Sequence, residues 1–238
     1  MNCLLLESEE IASGLGCVRI TGRRRQHAEE ILRASPGDTL RVGLVDGPLG
    51  SASILRLDPE VLELRVRLGD PPPPKRAITL VLALPRPPVF RRLLSTIASL
   101  GIGRLLVVGT ARTEGSFWQS RVVAPESMRE RLMLGLEQAR DTVLPAVSLH
   151  RSFEPLMAEV LPPLLERSRG LLAHPAAEAP CPHAIAEPIT LFVGPEGGLL
   201  DREVDRLAGI GFEPVQLGER VLRVEPVIPL LVGRLSVS

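Results

Sequence analysis

The sequence predicts an α/β protein in two parts: a small β-rich unit, a proline spacer, and a larger unit of alternating strands and helices around a largely parallel sheet. Three observations predict it. Leu62, Leu64, Val66 and Leu68 alternate with Glu63, Arg65 and Arg67, a period of two that buries one face of a strand. Pro71-Pro72-Pro73-Pro74 can continue neither a helix nor a central strand and reads as an extended, stiff spacer. Beyond it, short apolar runs alternate with stretches of helical periodicity, as parallel strands joined by crossover helices do. The expected boundaries are therefore 1–70, a linker over 71–76, and 77–238.

Within the first part, Leu40, Val42 and Leu44 repeat the alternation after a Pro36-Gly37-Asp38 turn. Between Val18-Arg19-Ile20 and that turn the spacing predicts a short helix, with His27, Ile31 and Leu32 near its apolar side. Arg23-Arg24-Arg25 is either a phosphate-contacting patch or a solvated basic turn beside Glu29 and Glu30. In the second part, 78–84 reads as a buried strand, and 90–100 as a helix with Leu93, Leu94, Ile97 and Leu100 at helical spacing. A strand over 105–108, a helix over 127–140 and a strand over 146–149 follow. Pro162-Pro163 interrupts a helix over 153–167, and Leu171-Leu172-Ala173 is a strand ending at His174-Pro175. The Ala- and Pro-rich stretch 176–188 reads as a flexible surface loop.

Composition excludes several classes. The chain of 238 residues, 45% hydrophobic, can bury a sizeable core. It has no uncharged apolar run long enough for a membrane span, and Glu7, Glu9 and Glu10 stand where a signal peptide carries basic charge; cytoplasm is the expected address. The 3 cysteines are scattered without C-x-x-C spacing and the 4 histidines form no paired ligand pattern, so neither a disulfide framework nor a metal site is expected. A net charge of +0 means that nucleic-acid contact must come from local patches. Gly14-Leu15-Gly16 and Gly101-Ile102-Gly103 lack the third glycine of a dinucleotide loop, and no P-loop occurs.

The strongest functional signal lies between Leu191 and Glu225. An apolar strand, Leu191-Phe192-Val193, runs into Gly194-Pro195-Glu196-Gly197-Gly198, which exposes backbone N–H and C=O groups at a sheet's carboxyl edge. Asp201 is placed to cap the helix that follows, whose apolar side carries Val204, Leu207, Ala208 and Ile210 before Gly211 stops it. The plan then repeats: a strand over 214–217, Gly218, and Val221-Leu222-Arg223 returning toward the first loop. Two glycine turns separated by one helix make a single pocket.

These residues carry a resemblance. Val-Gly-Pro-Glu-Gly-Gly at 193–198, Leu-Gly at 217–218 and Val-Leu-Arg-Val-Glu at 221–225 resemble the signature of the SPOUT methyltransferases. More narrowly they are similar to the 16S rRNA (uridine-N3) methyltransferases, the ribosomal RNA small-subunit methyltransferase E family. His27, Ile31-Leu32-Arg33, Pro36-Gly37-Asp38, Leu82 to Arg86, Ser99 to Ile102 and Glu137 to Arg140 extend the likeness over nearly the whole chain. The resemblance implies an N-terminal PUA-like RNA-binding barrel and a C-terminal SPOUT α/β domain whose last strand and helix thread a loop to form a trefoil knot. It further implies S-adenosyl-L-methionine as cofactor, the small ribosomal subunit as partner, and a homodimer.

By the same resemblance, Ala173, His174, Val193, Gly194, Pro195, Glu196, Gly197, Gly198, Leu217, Gly218, Val221, Leu222 and Glu225 would hold the cofactor. Arg223 and Arg140 are the candidates for stabilising negative charge on the uracil ring as N3 loses its proton. Arg223 has an alternative, a salt bridge to Glu225 or Glu196. Arg19, Arg33 and Arg86, joined by Arg23, Arg24 and Arg25, would face RNA. No general base stands out. One departure bears on activity: Glu225 is followed by Pro226-Val227 where relatives continue with Thr-Ala, so the last helix is expected to start later. A SPOUT enzyme on another RNA, and a non-catalytic RNA-binding or ribosome-assembly protein, are the alternatives.

Overall fold

Alternating apolar residues build the first sheet. The structure, a computed structural model, describes residues 2–11, 16–31 and 33–237; Gly14, Leu15 and Leu32 lie outside them. Two units are separable: Met1–Pro74 with Met133–Leu144, and Lys75–Leu132 with Pro145–Ser238. In the first, β1 (Leu4–Leu6), α1 (Ser8–Ile11), β2 (Cys17–Ile20), α2 (Gly22–Glu30), β3 (Thr39–Leu44), β4 (Leu49–Leu57) and β5 (Leu62–Asp70) follow in order. Their sheet runs β1-β3-β4-β5-β2, antiparallel except that β1 lies parallel to β3. Val18, Ile20, Val42, Ile54, Leu62 and Leu64 close its core, each large side chain contributing about 1.5–3 kcal/mol.

Apolar alternation does not reveal β4, whose Gly50, Ser51, Ala52 and Ser53 are small. One of them must be: a Cβ on Gly50 would meet the Arg67 carbonyl oxygen at 2.0 Å.

In the structure the basic turn lies among carboxylates. Arg25 is 8% exposed; its Nε donates to the Asp58 carbonyl (2.6 Å) and its Nη2 to Glu29 (2.5 Å). Arg24 is held by Glu10 and the Leu5 carbonyl, Arg23 by Glu137 at 3.4 Å, and Arg19 by Glu63 at 3.1 Å. Carboxylates thus engage these guanidiniums, while the Arg19 and Arg23 side chains remain 69% and 54% exposed. Ile31 is corrected: α2 ends at Glu30, Ile31 lies past its last turn at 65% exposure, and the helix buries Arg25 and Ala28 instead. Arg33 is exposed with φ 51°.

Glu137 is 1% exposed and its Oε1 has no hydrogen-bond partner among the described residues. Burial raises its pKa above the ordinary carboxylate value, against the lowering effect of Arg23. The folded state therefore holds this proton more tightly than the unfolded chain, so stability is greatest below the unfolded value of 4.5 and declines as pH rises through the folded value. Glu137→Gln is expected to flatten that decline in urea titrations run from pH 4.5 toward neutrality; an unaltered slope would refute the assignment.

The second unit contains β6 (Arg76–Ala83), α3 (Pro87–Ser99), β7 (Ile102–Val108), α4 (Pro125–Ala139, whose residues from Met133 group with the first unit), β8 (Ala146–His150), α5 (Phe153–Pro155), α6 (Leu161–Leu165), β9 (Arg169–Ala173), β10 (Ile189–Val193), α7 (Asp201–Gly209), β11 (Phe212–Val215) and α8 (Val224–Leu235). Its six strands run β11-β9-β10-β6-β7-β8, every neighbour parallel. Parallel strands covered on both faces read as continuous apolar runs, and all of Ile189–Val193 is buried. Phe192 meets Phe153 and Phe212 edge to face, at 6.3 and 6.0 Å between centroids.

Prolines set several helix starts. Pro87 opens α3 three residues before the apolar periodicity begins, because a first-turn residue needs no N–H partner. Pro162 falls in the first turn of α6 and does not break the helical run; a π turn at Leu156–Val160 leads into it, with Leu161 N–H donating to the carbonyl of Leu156. Pro226 likewise occupies the first turn of α8, which starts at Val224 and is not delayed.

The stretch 176–188 is not a loose loop. Cys181 is 1% exposed and its N–H donates to the Gln216 carbonyl at 2.8 Å. Ala184 and Ile185 N–H groups donate to Arg234 and Leu235 carbonyls, both at 2.9 Å, and Arg234 Nε donates to Cys181 O at 2.6 Å. The Ala184 and Ile185 bonds satisfy carbonyls in the last turn of α8 that have no intrahelical partner. Among the described residues no helix is long and apolar enough to cross a membrane, and no group of three or more His, Cys, Asp or Glu could hold a metal.

Candidate cofactor pocket

β10 delivers Val193 to the carboxyl edge of the sheet, where Pro195 to Gly198 form a turn closed by Gly198 N–H donating to Pro195 O at 2.8 Å. Gly198 has φ 73°, a left-handed conformation that glycine adopts without strain. From β11, Gln216 and Gly218 form the second turn, the Gly218 N–H donating to the Gln216 side-chain oxygen. His174, leaving β9, donates its N–H to Val215 O at 2.9 Å and ties the third strand end to the second turn.

Between these ends lies a cavity of about 470 Å³, within the range of nucleoside-sized ligand sites. Ala173, His174, Val193, Gly194, Pro195, Glu196, Gly197, Gly198, Leu217, Gly218, Val221 and Leu222 line it, as does Arg223. Val227 and Leu231 of α8 add apolar wall. Arg223 is exposed at the N-cap of α8 and forms no salt bridge among the described residues. Its two alternative partners are engaged elsewhere: Glu225 by Arg92 Nε at 2.5 Å, and Glu196 by the Arg86 N–H at 3.2 and 3.3 Å.

Three expected residues sit differently. Glu225 turns toward Arg92 on α3 and does not line the cavity; the hydrogen bond from Arg92 holds its carboxyl below the usual range. Arg140 has φ 58° and lines a cleft of the first unit with Cys3, Thr39 and Arg41. Arg86 caps α3, exposed, and its backbone N–H braces Glu196.

Two supports escape sequence reasoning. Arg112, in the loop after β7 and itself lining the cavity, donates Nη1 to the carbonyls of Gly197 (2.5 Å) and Leu199 (3.4 Å), fixing the first glycine turn. Glu203, 5% exposed, accepts from Leu200 N–H and Ala111 N–H, both at 2.8 Å. Asp201 is therefore not the cap; it is the first residue of α7, and Glu203 engages the N-terminal N–H. Glu203→Ala leaves two backbone donors unpaired, and an unfolding free energy lower by about 2–4 kcal/mol is expected in urea titration, with a change below about 0.5 kcal/mol contradicting the bracing role.

A parallel α/β sheet whose carboxyl edge forms a nucleoside-sized cavity from backbone-exposing turns defines a class: a domain that grips a small cofactor by main-chain groups. Residues 71–235 match the family model of the RNA methyltransferase domain, and the chain belongs to that family. Ribosomal RNA small subunit methyltransferase E of Treponema pallidum is 28% identical over 230 residues, covering 94% of this chain and 86% of that protein. The protein of that name from Synechocystis is 26% identical over 212 residues, covering 87% and 68%. Two solved structures share the fold: ribosomal RNA small subunit methyltransferase E of Neisseria gonorrhoeae bound to S-adenosyl methionine (TM-score 0.75, 19% identity, 98% and 95% covered), and a Legionella pneumophila protein in complex with the same cofactor (TM-score 0.72, 22% identity, 97% and 94% covered).

Proposed function

We propose that this protein transfers a methyl group from S-adenosyl-L-methionine to N3 of a uridine in 16S rRNA of the small ribosomal subunit. The observation that carries the reading is the cavity in which both glycine turns, the end of β9 and the start of α8 meet. Its walls fit the cofactor. Backbone groups of Gly194 to Gly198 and Leu217 to Leu222 suit the adenine edge and the methionine part, while Val193, Leu217 and Leu231 suit the apolar faces. When bound, S-adenosyl-L-methionine would supply an electrophilic methyl group for uracil N3 and would leave as a neutral thioether.

The chain's own residues align and shield. The turns fix the cofactor's orientation, and the apolar walls exclude water. Arg223, at the cavity rim and in no salt bridge among the described residues, stabilises the negative charge that spreads onto the uracil oxygens as N3 gives up its proton to solvent. Arg112 keeps the first turn in place.

Around this site we assign 1–70 to a PUA-like RNA-binding barrel, 71–76 to a linker, and 77–238 to a SPOUT domain with a trefoil knot. The hydrogen bonds from the 176–188 segment to the end of α8 support the knot, since they bind a loop against the C-terminal helix. We further assign a homodimer, which would cover exposed Leu230 (51%) on α8 and Val237 (57%) after it. The proposed RNA substrate implies the cytoplasm. α8 starts at Val224 with Pro226 in its first turn, so the delayed helix on which the non-catalytic alternative rested does not form.

Methyl-labelled cofactor incubated with small ribosomal subunits lacking the modification tests the reading. Label is expected in the RNA; cofactor binding with unlabelled RNA would reject this substrate.

A further inference from the structure

A second concave surface of the same unit lies at the ends of β7 and β8, and the methyl transfer above makes no use of it. It encloses about 610 Å³ between Gly109 and Thr110 after β7, Trp118, Arg151 after β8, and Arg202 and Arg206 on α7. Three guanidiniums meet two carboxylates there, and both carboxylates are already engaged. Glu203 accepts from two backbone N–H groups, and Glu154 pairs with Arg206. Arg151 and Arg202 are exposed and form no salt bridge among the described residues.

Arg151 is also held in place, its guanidinium 5.9 Å from the centroid of the Trp118 ring. A guanidinium stacked in this way keeps its charge and its in-plane donors, and loses little further freedom on meeting an anion. Position gives the cleft its meaning. Ala111 and Thr113 line it, whereas Arg112 between them lines the cofactor cavity, so one loop separates the two. A strand whose base enters the cavity must run its backbone over the bordering surface.

We propose that this cleft holds the phosphodiester backbone beside the target uridine, with Arg151 and Arg202 as phosphate contacts; the assignment rests on the RNA-methylation reading above. The test uses the full chain carrying Arg202→Glu, measured against small-subunit rRNA lacking the modification, with the cofactor present. An acid in the first turn of α7 favours that helix, so the fold is retained. RNA affinity is expected to fall roughly tenfold, as when a hydrogen bond to a charged group is lost, and the slope of log affinity against log salt to become shallower by about one. Cofactor affinity stays unchanged. Arg151→Gln shifts RNA affinity the same way. An Arg202→Glu protein with wild-type RNA affinity and salt slope overturns the cleft assignment alone. A wild-type protein that binds the cofactor but no rRNA overturns the RNA reading, and the cleft falls with it.

Discussion

Gly197→Arg is expected to weaken S-adenosyl-L-methionine binding by about 100-fold or more, a loss near 3 kcal/mol, while the protein stays folded. Gly197 sits in an exposed turn with an ordinary backbone conformation, so a side chain there does not strain the chain. Its Cβ would lie 3.4 Å from the Arg112 side chain, in van der Waals contact, so the longer arginine chain beyond it must displace Arg112 or enter the cavity. Displacement breaks the Arg112 bonds to Gly197 and Leu199 carbonyls; entering fills the cofactor's volume and sets a cation against a sulfonium. Calorimetry measures the affinity and circular dichroism the fold. Wild-type affinity in a folded variant would remove the cavity from the account.

Arg223→Ala should lower kcat by about 100- to 1000-fold, the scale of losing one preorganised donor to developing negative charge. Cofactor affinity should change by less than about threefold, since main-chain groups make most of that site. Arg223 suits this role because its possible carboxylate partners are held by Arg92 and Arg86. Arg223→Lys keeps the charge and should recover part of the rate. Equal losses in cofactor affinity and kcat would instead make Arg223 a cofactor-binding residue.

Much of the second unit was legible because buried parallel strands are continuous apolar runs. Leu191 to Val193 and Leu105 to Val108 announce themselves in this way, although β10 begins at Ile189 and β7 at Ile102, ahead of the polar Arg104, and the glycine turn after Val193 marks the site. Periodicity carries no information about neighbour order, so nothing in the chain announces that β9 lies between β11 and β10. Nor does it reveal β4, where small residues replace the alternation, or Arg112, whose partner Gly197 lies 85 residues away. The charged residues were the hardest to place. Arg25 looks like surface in a run of three arginines, yet its donors are used by Asp58 and Glu29. Glu225 looks like part of the cofactor loop, yet α8 starts at Val224 and directs it to Arg92. Such pairings depend on which element packs against which, and a local motif does not contain that.

The proposed methyl acceptor is N3 of a uridine. Nucleoside analysis of the rRNA after reaction with labelled cofactor tests it most directly: the account predicts all enzyme-dependent label in 3-methyluridine. Label on a ribose hydroxyl or on another base would contradict it.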